Sequence, residues 1–302
     1  GWRGLIVAGL CFIFPAVLIT GFFAWVYKKY GQLPEIQPFI YGIKPAIIAI
    51  ILFAIFPLAK KSLKTAELYI VGILVLILSL LNFNELYLLF GAGFLALFVF
   101  GIKNKLFQNI DQNFLPIVAF PFSISPSASV SNWSLFLIFL KIGAILYGSG
   151  YVLFAFLDSE LVTTGILSRH QLIDAIAVGQ FTPGPVFSSV TFIGYQINDW
   201  TGALLATVGI FLPSFLFVAL LNPLVKKMRN SRLFAVFLDA VNVASVAIIL
   251  AVCVDLVVTT ITDWRTICIG LTSLAIAFCF KNINSSFIVI GGSVLGYLLT
   301  LV

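Results

Sequence analysis

Charged side chains are scarce in this sequence. Asp, Glu, Lys and Arg make up only 9% of its 302 residues, whereas hydrophobic residues make up 61%. A soluble domain carries about 25% charged residues. The composition therefore excludes an ordinary soluble domain and indicates a protein that lies in lipid, where apolar side chains face apolar solvent.

Residues that hold metals or nucleotides are also few. The chain has a single histidine, His170, and its four cysteines form no CxxC pair. It contains neither an HExxH motif nor a Walker phosphate loop, so metal and nucleotide chemistry lack support. A membrane-embedded enzyme acting on lipid would need an acidic metal-binding cluster such as DDxxD, and none is present. We therefore expect no cofactor, no metal and no enzymatic activity.

The net charge of +6 does not indicate a nucleic acid partner. The 17 Lys and Arg residues lie mostly in short connections between apolar runs, which is the pattern of loops at a membrane surface. No basic stripe with interleaved aromatic residues is present. We expect contact with membrane lipid and none with nucleic acid, and a homodimer is left open.

The apolar runs predict an all-α, polytopic transmembrane helical bundle. A spanning helix needs about 20 mostly apolar residues. The runs cover residues 5–27, 39–58, 67–81, 84–102, 134–157, 184–197, 201–225, 233–257, 264–280 and 285–301. The runs at 67–81, 184–197 and 285–301 are short. A linker rich in Asn, Pro and Ser divides the chain, so we assign half-repeats to 1–110 and 134–302, joined by 111–133.

The two halves repeat each other at an offset of 198 residues. Residues 1–16 read GWRGLIVAGLCFIFPA, and residues 199–214 read DWTGALLATVGIFLPS. The same offset pairs Trp2 with Trp200, Gly4 with Gly202, Pro15 with Pro213, Lys28-Lys29 with Lys226-Lys227, and Ala46 with Ala244. The section 134–198 has no counterpart before residue 1, so we expect about 65 residues to be missing from the first half-repeat. Internal duplication is typical of secondary transporters.

Inverted halves need an odd number of crossings each, whereas the second half has six runs. Five crossings remain if 184–197 and its approach form a re-entrant element. The basic residues then separate into Arg3, Lys60, Lys61, Lys64, Lys103, Lys105, Lys226 to Arg232 and Lys281 on one side, and Lys28, Lys29, Arg169 and Arg265 on the other. This asymmetry favours the re-entrant interpretation, with broken helices near the midplane.

The stretch 179–195, GQFTPGPVFSSVTFIGY, predicts such a break. Pro183 and Pro185 flank Gly184, and a helix cannot run through two prolines unperturbed. Thr182 or Gly184 fits as a cap, so a half-helix should start near Pro185. A plain proline kink that shapes packing is the alternative.

The start of this half-helix would suit an anion, because it carries partial positive charge and open N–H donors. The first free N–H groups would belong to Val186, Phe187 and Ser188. Hydroxyl donors would come from Thr182, Ser188 and Ser189. Irregular backbone at this depth is tolerated only where it is buried in protein or lines a cavity.

The stretch 141–150, KIGAILYGSG, is a second candidate. Gly143, Gly148 and Gly150 permit close backbone approach, either for a site or for helix packing through small residues. Lys141, near the start of its apolar run, either snorkels to the interface or adds positive charge to an anion path.

Lys44 lies five residues into an apolar run and is followed by Pro45. The position before proline disfavours helix, so we expect a break there and a cation beside it that could hold an oxyanion. Snorkelling is the alternative for Lys44. Asp239 and Asp255, inside a later apolar run, are candidates for proton coupling. Asp239 has the alternative of pairing with the basic cluster at 226–232.

The stretch 158–178, DSELVTTGILSRHQLIDAIAV, reads as an amphipathic helix at the membrane interface. Thr163 or Ser168 would cap it, and His170 is interpreted as a solvated surface residue rather than a ligand.

The runs LKIGAILYGSGYVLFAFL, QLIDAIAVGQFTPGPVFSSVTFIGY and GALLATVGIFLPSFLFVALLNPLV resemble the C-terminal half of the chromate ion transporter family. GWRGLIVAGLCFIFPA and YGIKPAIIAI resemble the later part of its N-terminal half. The resemblance implies a plasma-membrane carrier with inverted halves that expels chromate in exchange for protons, as an antiporter. It also implies functional roles for Lys44, Gly148, Gly150, Gln180, Thr182, Pro183, Gly184 and Pro185. The N-terminal counterpart of the Pro-Gly-Pro section is absent here.

The residues and the resemblance together favour a secondary transporter of chromate. Sulfate shares its shape and charge, so other tetrahedral oxyanions are further candidates. An anion channel is one alternative; it would need no proton coupling, so substituting Asp239 or Asp255 should leave its flux intact. An inactive fragment of a transporter is the other.

Overall fold

The computed structural model describes residues 2–31, 33–103, 131–146, 150–182, 184–229, 231–280 and 283–301. All regular secondary structure in these ranges is helical. The helices are α1 (Trp2–Tyr30), α2 (Gln37–Ser62), α3 (Ala66–Leu80), α4 (Glu85–Lys103), α5 (Asn132–Ile145), α6 (Val152–Leu157), α7 (Arg169–Phe181), α8 (Ser189–Arg229), α9 (Arg232–Thr260), α10 (Trp264–Cys279) and α11 (Ser285–Thr300). Five spans are long and apolar enough to cross a membrane, among them Gly4–Tyr30, Gln37–Ser62 and Arg232–Thr260. The all-α, multi-pass prediction is confirmed.

Short polar residues start many of these helices. The side chains of Thr65, Ser131, Ser168, Ser231, Asp263 and Asn284 each accept a hydrogen bond from a backbone N–H in the first turn that follows. Such caps satisfy donors that the helix itself leaves open. At Asp263 the hydroxyl of Tyr41 also donates to the carboxylate, and this bond lowers the pKa of Asp263 below its usual value.

Helix α1 and the second part of α8 run antiparallel and define the two faces of the bundle. A methyl group at Gly21 would lie 3.2 Å from the Trp200 ring, and one at Gly9 would meet the Phe215 ring. We call the end where α1 finishes and α2 begins the Lys28 face. The opposite end, where α2 finishes, is the Lys64 face.

Helices α5 and α6 form a hairpin rather than a single membrane-crossing helix. Lys141 on α5 and Glu160, just after α6, are 19 residues apart but form a 2.6 Å ion pair; in a straight helix they would lie about 28 Å apart. Asn132, at the start of α5, accepts a 3.0 Å hydrogen bond from Asn198 at the Lys28 face. The predicted single crossing over 134–157 is therefore wrong, because α6 runs back towards the face at which α5 starts.

Helix α7 and the first arm of α8 (189–197) form a second hairpin from the same face. Tyr27 bonds to Asp174 on α7, and Phe192 on the first arm stacks edge-on against the same tyrosine. The arm ends at a sharp turn where Asp199 has a φ of 51° and pairs with Lys28 at 2.6 Å. The geometry agrees with the re-entrant element predicted around 184–197. The rest of α8 (200–229) then crosses to the Lys64 face.

Two further sequence predictions about helices are wrong. Helix α2 runs unbroken through Pro45, because proline is tolerated where neighbouring helices pack against the site; Gly270 of α10 lies against its ring. The stretch 158–178 is not one interfacial helix. Residues Asp158–Val162 extend α6 as a π-helical turn, and α7 starts after Ser168 and enters the bundle, with 172–177 buried. His170 is exposed, as predicted.

The helix bounds recur at the offset of 198 residues. Shifting α2 by 198 gives 235–260, which ends where α9 ends, and shifting α3 gives 264–278, which nearly coincides with α10. Mates run in opposite directions, since α2 leaves the Lys28 face and α9 approaches it. This recurrence supports the two half-repeats and their inversion, which stay a proposal.

Candidate functional site

The tips of the two hairpins meet inside the bundle. Helix α7 ends at Phe181, Thr182 is extended, and Pro185 precedes a single 3₁₀ turn, Val186–Ser188, that leads into α8. The helix break and restart predicted for this stretch are confirmed. Gly150 in the other tip lies in van der Waals range of Val186. The two breaks thus form one irregular region.

The depth of the two tips in the membrane follows from α1, which packs against the second tip. Thr20 on α1 contacts Thr182 and Ser188 in the second tip and lies ten residues before the end of the helix. At 1.5 Å per residue this is about 15 Å from the Lys28 face, or half of a hydrocarbon core about 30 Å thick. The tips therefore meet near the midplane of the membrane.

Three buried hydroxyls converge at the second tip. Thr20 Oγ1 lies 3.1 Å from Thr182 Oγ1 and 3.4 Å from Ser188 Oγ, and all three side chains are buried. Thr182 also donates to the carbonyl of Val178 at 2.8 Å. It therefore closes α7 and joins it to α1, and does not cap the half-helix as predicted. Sequence reasoning missed Thr20, a lone threonine in an apolar run.

The backbone at this tip offers fewer donors than predicted. The N–H groups of Val186 and Phe187 meet no acceptor within the described residues, whereas that of Ser188 donates to the Pro185 carbonyl at 2.9 Å. The hydroxyl of Ser189 is buried and donates to the Val186 carbonyl at 2.9 Å. Among the described residues, two backbone donors thus lack an acceptor.

Gln180 adds a further donor next to the break. It is 9% exposed, and its Nε2 meets no acceptor at hydrogen-bonding geometry within the described residues, although Tyr151 of the other tip lies close by. The backbone carbonyl of Gln180 accepts a 3.3 Å hydrogen bond from the Ser286 hydroxyl. Gly184 packs so closely on α1 that a methyl group there would lie 2.6 Å from Ala16 Cβ.

The remaining candidates have other surroundings. Gly148 and Pro183 lie outside the described residues. The half-buried Lys141 pairs with Glu160. Asp239 pairs at 2.7 Å with Lys64 at the Lys64 face.

A three-residue network lies at the Lys28 face. Arg169 bridges the buried Asp158 at 3.0 Å and Asp255, half of whose side chain is exposed, at 3.7 Å. In the described part of the chain, no three His, Cys, Asp or Glu residues are grouped to hold a metal ion.

Lys44 does not reach the tips. Its Nζ lies 3.6 Å from Asp174 Oδ1, while Tyr27 donates a 2.5 Å hydrogen bond to Oδ2 of the same carboxylate. Asp174 is eight residues before Thr182, about 12 Å along α7. Sequence reasoning missed this aspartate because its helix was placed at the membrane surface.

The profile of the family described as Chromate transporter matches residues 1–97 and 133–297. The chain belongs to the chromate transporter family. A chromate transport protein of Cupriavidus metallidurans is 29% identical over 299 residues, covering 97% of this chain and 74% of that protein. A probable chromate transport protein of Synechococcus elongatus is 32% identical over 282 residues, covering 91% and 71%. No solved structure matches the chain.

Apart from Asn132, both hairpins of this chromate transporter family member lie within the second matched stretch, 133–297. An uncharacterized transporter of Methanocaldococcus jannaschii is 22% identical over 313 residues, covering 99% of this chain and 77% of that protein. The resemblance inferred from the motifs is confirmed, and with it a multi-pass membrane protein related to transport proteins.

Proposed function

We propose that this protein is a secondary transporter that carries chromate across the plasma membrane and binds it where the two hairpin tips meet. The observation that carries the proposal is a group of donors at the midplane: the buried Thr20, Thr182 and Ser188 hydroxyls, and the N–H groups of Val186 and Phe187, which meet no acceptor within the described residues. Relatives named as chromate transport proteins support the substrate.

Donor chemistry fits a tetrahedral dianion. Such an ion accepts hydrogen bonds on all sides, and the start of a helix adds partial positive charge. Hydroxyls can rotate from their present partners to the anion, and Gln180 can add its amide donor. Because these donors recognise shape and charge alone, we expect sulfate to compete with chromate.

Orientation suggests the direction of transport. The positive-inside rule places the Lys64 face in the cytoplasm, so both hairpins would enter from outside. An anion moving outward from the tips would then pass Lys44, whose charge favours its exit. Export of chromate and coupling to protons are part of the proposal.

The test is chromate uptake by proteoliposomes that contain the purified chain, with sulfate as competitor. Replacing both Pro183 and Pro185 with alanine should abolish uptake while membrane insertion is retained. Thr182→Val, which keeps shape but removes a hydrogen bond to a charged group, should weaken chromate binding by about tenfold or more. Thr272→Val on α10 is the matched control, since Thr272 also bonds to its own helix but lies away from the tips.

Each result has a defined meaning. Uptake unchanged by the double proline substitution would reduce the break to a packing feature. No uptake by the parent protein under any gradient would remove the proposal. Uptake that does not saturate and that ignores Asp239→Asn and Asp255→Asn would favour the channel.

A further inference from the structure

A groove between α3, α4 and α9 lies at the Lys64 face, away from the hairpin tips. Helices α3 and α4 both pack against α9, and the space between them has a volume of about 450 Å³. Leu68 lines it from α3, Ala96 from α4 and Val236 from α9. None of the donors assigned to chromate lines this groove, so it is separate from the proposed chromate site.

The inner part of the groove is apolar and faces the lipid. Ile70 of α3 and Leu95 and Val99 of α4 line it, and their side chains are exposed at the surface of the bundle. The residues that line the groove from α9 lie between Arg232 and Asp239. This stretch is about 10 Å long, or a third of a hydrocarbon core about 30 Å thick. The groove is therefore deep enough for the upper part of an acyl chain.

Charged side chains surround the mouth of the groove, which is its end at the Lys64 face. Lys103 pairs with Glu67 at 2.7 Å, and Lys64 pairs with Asp239 at the same distance. Arg232 also lines the groove, but it has no carboxylate partner among the described residues. Three basic side chains therefore share two carboxylates, and the described part of the mouth keeps one surplus positive charge, on Arg232.

The guanidinium group of Arg232 lies over an aromatic ring of the groove. Its Cζ is 5.3 Å from the centre of the Phe100 ring, and Phe100 lines the groove as well. The Arg232 side chain is exposed. A guanidinium can stack on a ring and still donate two parallel hydrogen bonds from its edge to a phosphate. Charge and donors for a phosphate group thus lie directly at the mouth of an apolar groove.

We propose that this groove binds one anionic phospholipid, with the phosphate on Arg232 and an acyl chain between the apolar walls of α3 and α4. A lipid with one net negative charge balances the surplus charge at the mouth, whereas a zwitterionic lipid does not. The positive-inside rule places this face in the cytoplasm, where anionic lipids make the membrane surface negative. A second copy of the chain, bound across a two-fold axis at the same groove, would bring two surplus positive charges together. The charge therefore favours a lipid over a dimer contact.

The experiment offers the purified chain equal amounts of phosphatidylglycerol and phosphatidylcholine with the same acyl chains. Native mass spectrometry counts the lipids that the protein retains, and one phosphatidylglycerol should be retained in preference to phosphatidylcholine. Arg232→Gln should weaken phosphatidylglycerol binding about fivefold or more, which is the effect of one basic residue at a membrane surface. Because Arg232 is exposed, this variant should keep its fold.

Arg265→Gln is the matched control for charge. Arg265 also lies in the first turn of a helix, and its Cζ is 5.7 Å from the centre of the Trp264 ring. It belongs to the Lys28 face, at the start of α10, so its substitution should leave phosphatidylglycerol binding as it is in the parent protein.

A second pair of variants tests the apolar walls. Ala96→Phe places a ring in the groove and leaves Arg232 in place, so it should also weaken phosphatidylglycerol binding about fivefold or more. Gly91→Phe places the same ring elsewhere on α4, where an added side chain would meet nothing within 4 Å, and should have no such effect. Glycerol phosphate, which has the phosphate but no acyl chain, should displace the bound lipid far less well than a short-chain phosphatidylglycerol.

Several results would overturn the inference. Equal retention of the two lipids, or equal losses in Arg232→Gln and Arg265→Gln, would show a general attraction to surface charge. Unchanged binding in Ala96→Phe, or full displacement by glycerol phosphate, would show that the apolar walls hold no acyl chain. A dimer without bound lipid that Ala96→Phe dissociates would make the groove a contact between copies. Chromate takes no part in these measurements, so the proposed function is tested separately.

Discussion

Gly184 shows how a single missing side chain shapes the candidate site. The second tip rests on α1 at this residue, where an added Cβ would lie 2.6 Å from Ala16 Cβ. Real carbon atoms do not approach so closely, so any larger residue must push the tip away from Thr20. The position of the hydroxyls at this tip therefore depends on the absence of a side chain at residue 184.

Replacing Gly184 with alanine should reduce chromate transport strongly and destabilise the protein by about 1–3 kcal/mol, the usual cost of overpacking. The reciprocal change tests the cause, because Ala16→Gly removes the atom that the new methyl group would meet. Transport by the double variant Ala16→Gly/Gly184→Ala should recover only in part in the vesicle assay, because the φ of 158° at residue 184 strains any side chain there. If the single variant transports normally, or the double variant transports no better than the single one, the contact with Ala16 does not position the tip.

At the scale of helices, the sequence predicted where helices lie along the chain better than how they run through the membrane. The Pro-Gly-Pro stretch predicted its own break, because proline acts locally on hydrogen bonding. The α5–α6 hairpin was missed because the run 134–157 is apolar almost throughout, and the reversal shows in the contact of Lys141 with Glu160. The Pro45 break was predicted wrongly, since neighbouring helices decide whether a proline is tolerated.

The same limit applies to the candidate site. Motif reasoning found residues close together in sequence, such as Thr182 and Ser188. It missed Thr20, which α1 brings next to Thr182 and Ser188. It also missed Tyr27, which the same helix brings next to Asp174. Nothing in the sequence around α1 marks these two residues as neighbours of α7.

Helix α11 offers a matched test of close packing. A methyl group at Gly292 would lie 2.5 Å from Ala46 Cβ on α2, whereas one at Gly291 would meet nothing within 4 Å. Gly292→Ala should therefore destabilise the protein by about 1–3 kcal/mol. Gly291→Ala should leave stability unchanged or raise it by up to about 1 kcal/mol, because alanine favours helix. Thermal unfolding in detergent measures both, and equal midpoints would contradict the packing described for α2 and α11.

At the scale of the whole molecule, the bundle is polarised in two ways. Both hairpins enter from the Lys28 face, and Lys60, Lys61, Lys64 and Lys103 gather at the opposite face. A site at the tips is thus separated from the Lys28 face by two short hairpins and the Asp174 pair, and from the Lys64 face by the long helices. Access to the two faces differs in kind, as alternating access requires.

The orientation of the protein in the membrane decides whether the hairpins open to the outside or to the cytoplasm, and cysteine labelling measures this orientation. In a background without Cys11, Cys253, Cys268 and Cys279, an impermeant maleimide should label Lys29→Cys on intact cells and Lys61→Cys only after permeabilisation. Both lysines are exposed, and the positive-inside rule places the face of Lys61 in the cytoplasm. The reverse pattern would make the hairpins open to the cytoplasm. Lys44 would then meet an anion as it enters the path and not as it leaves, so its charge would favour loading instead of release.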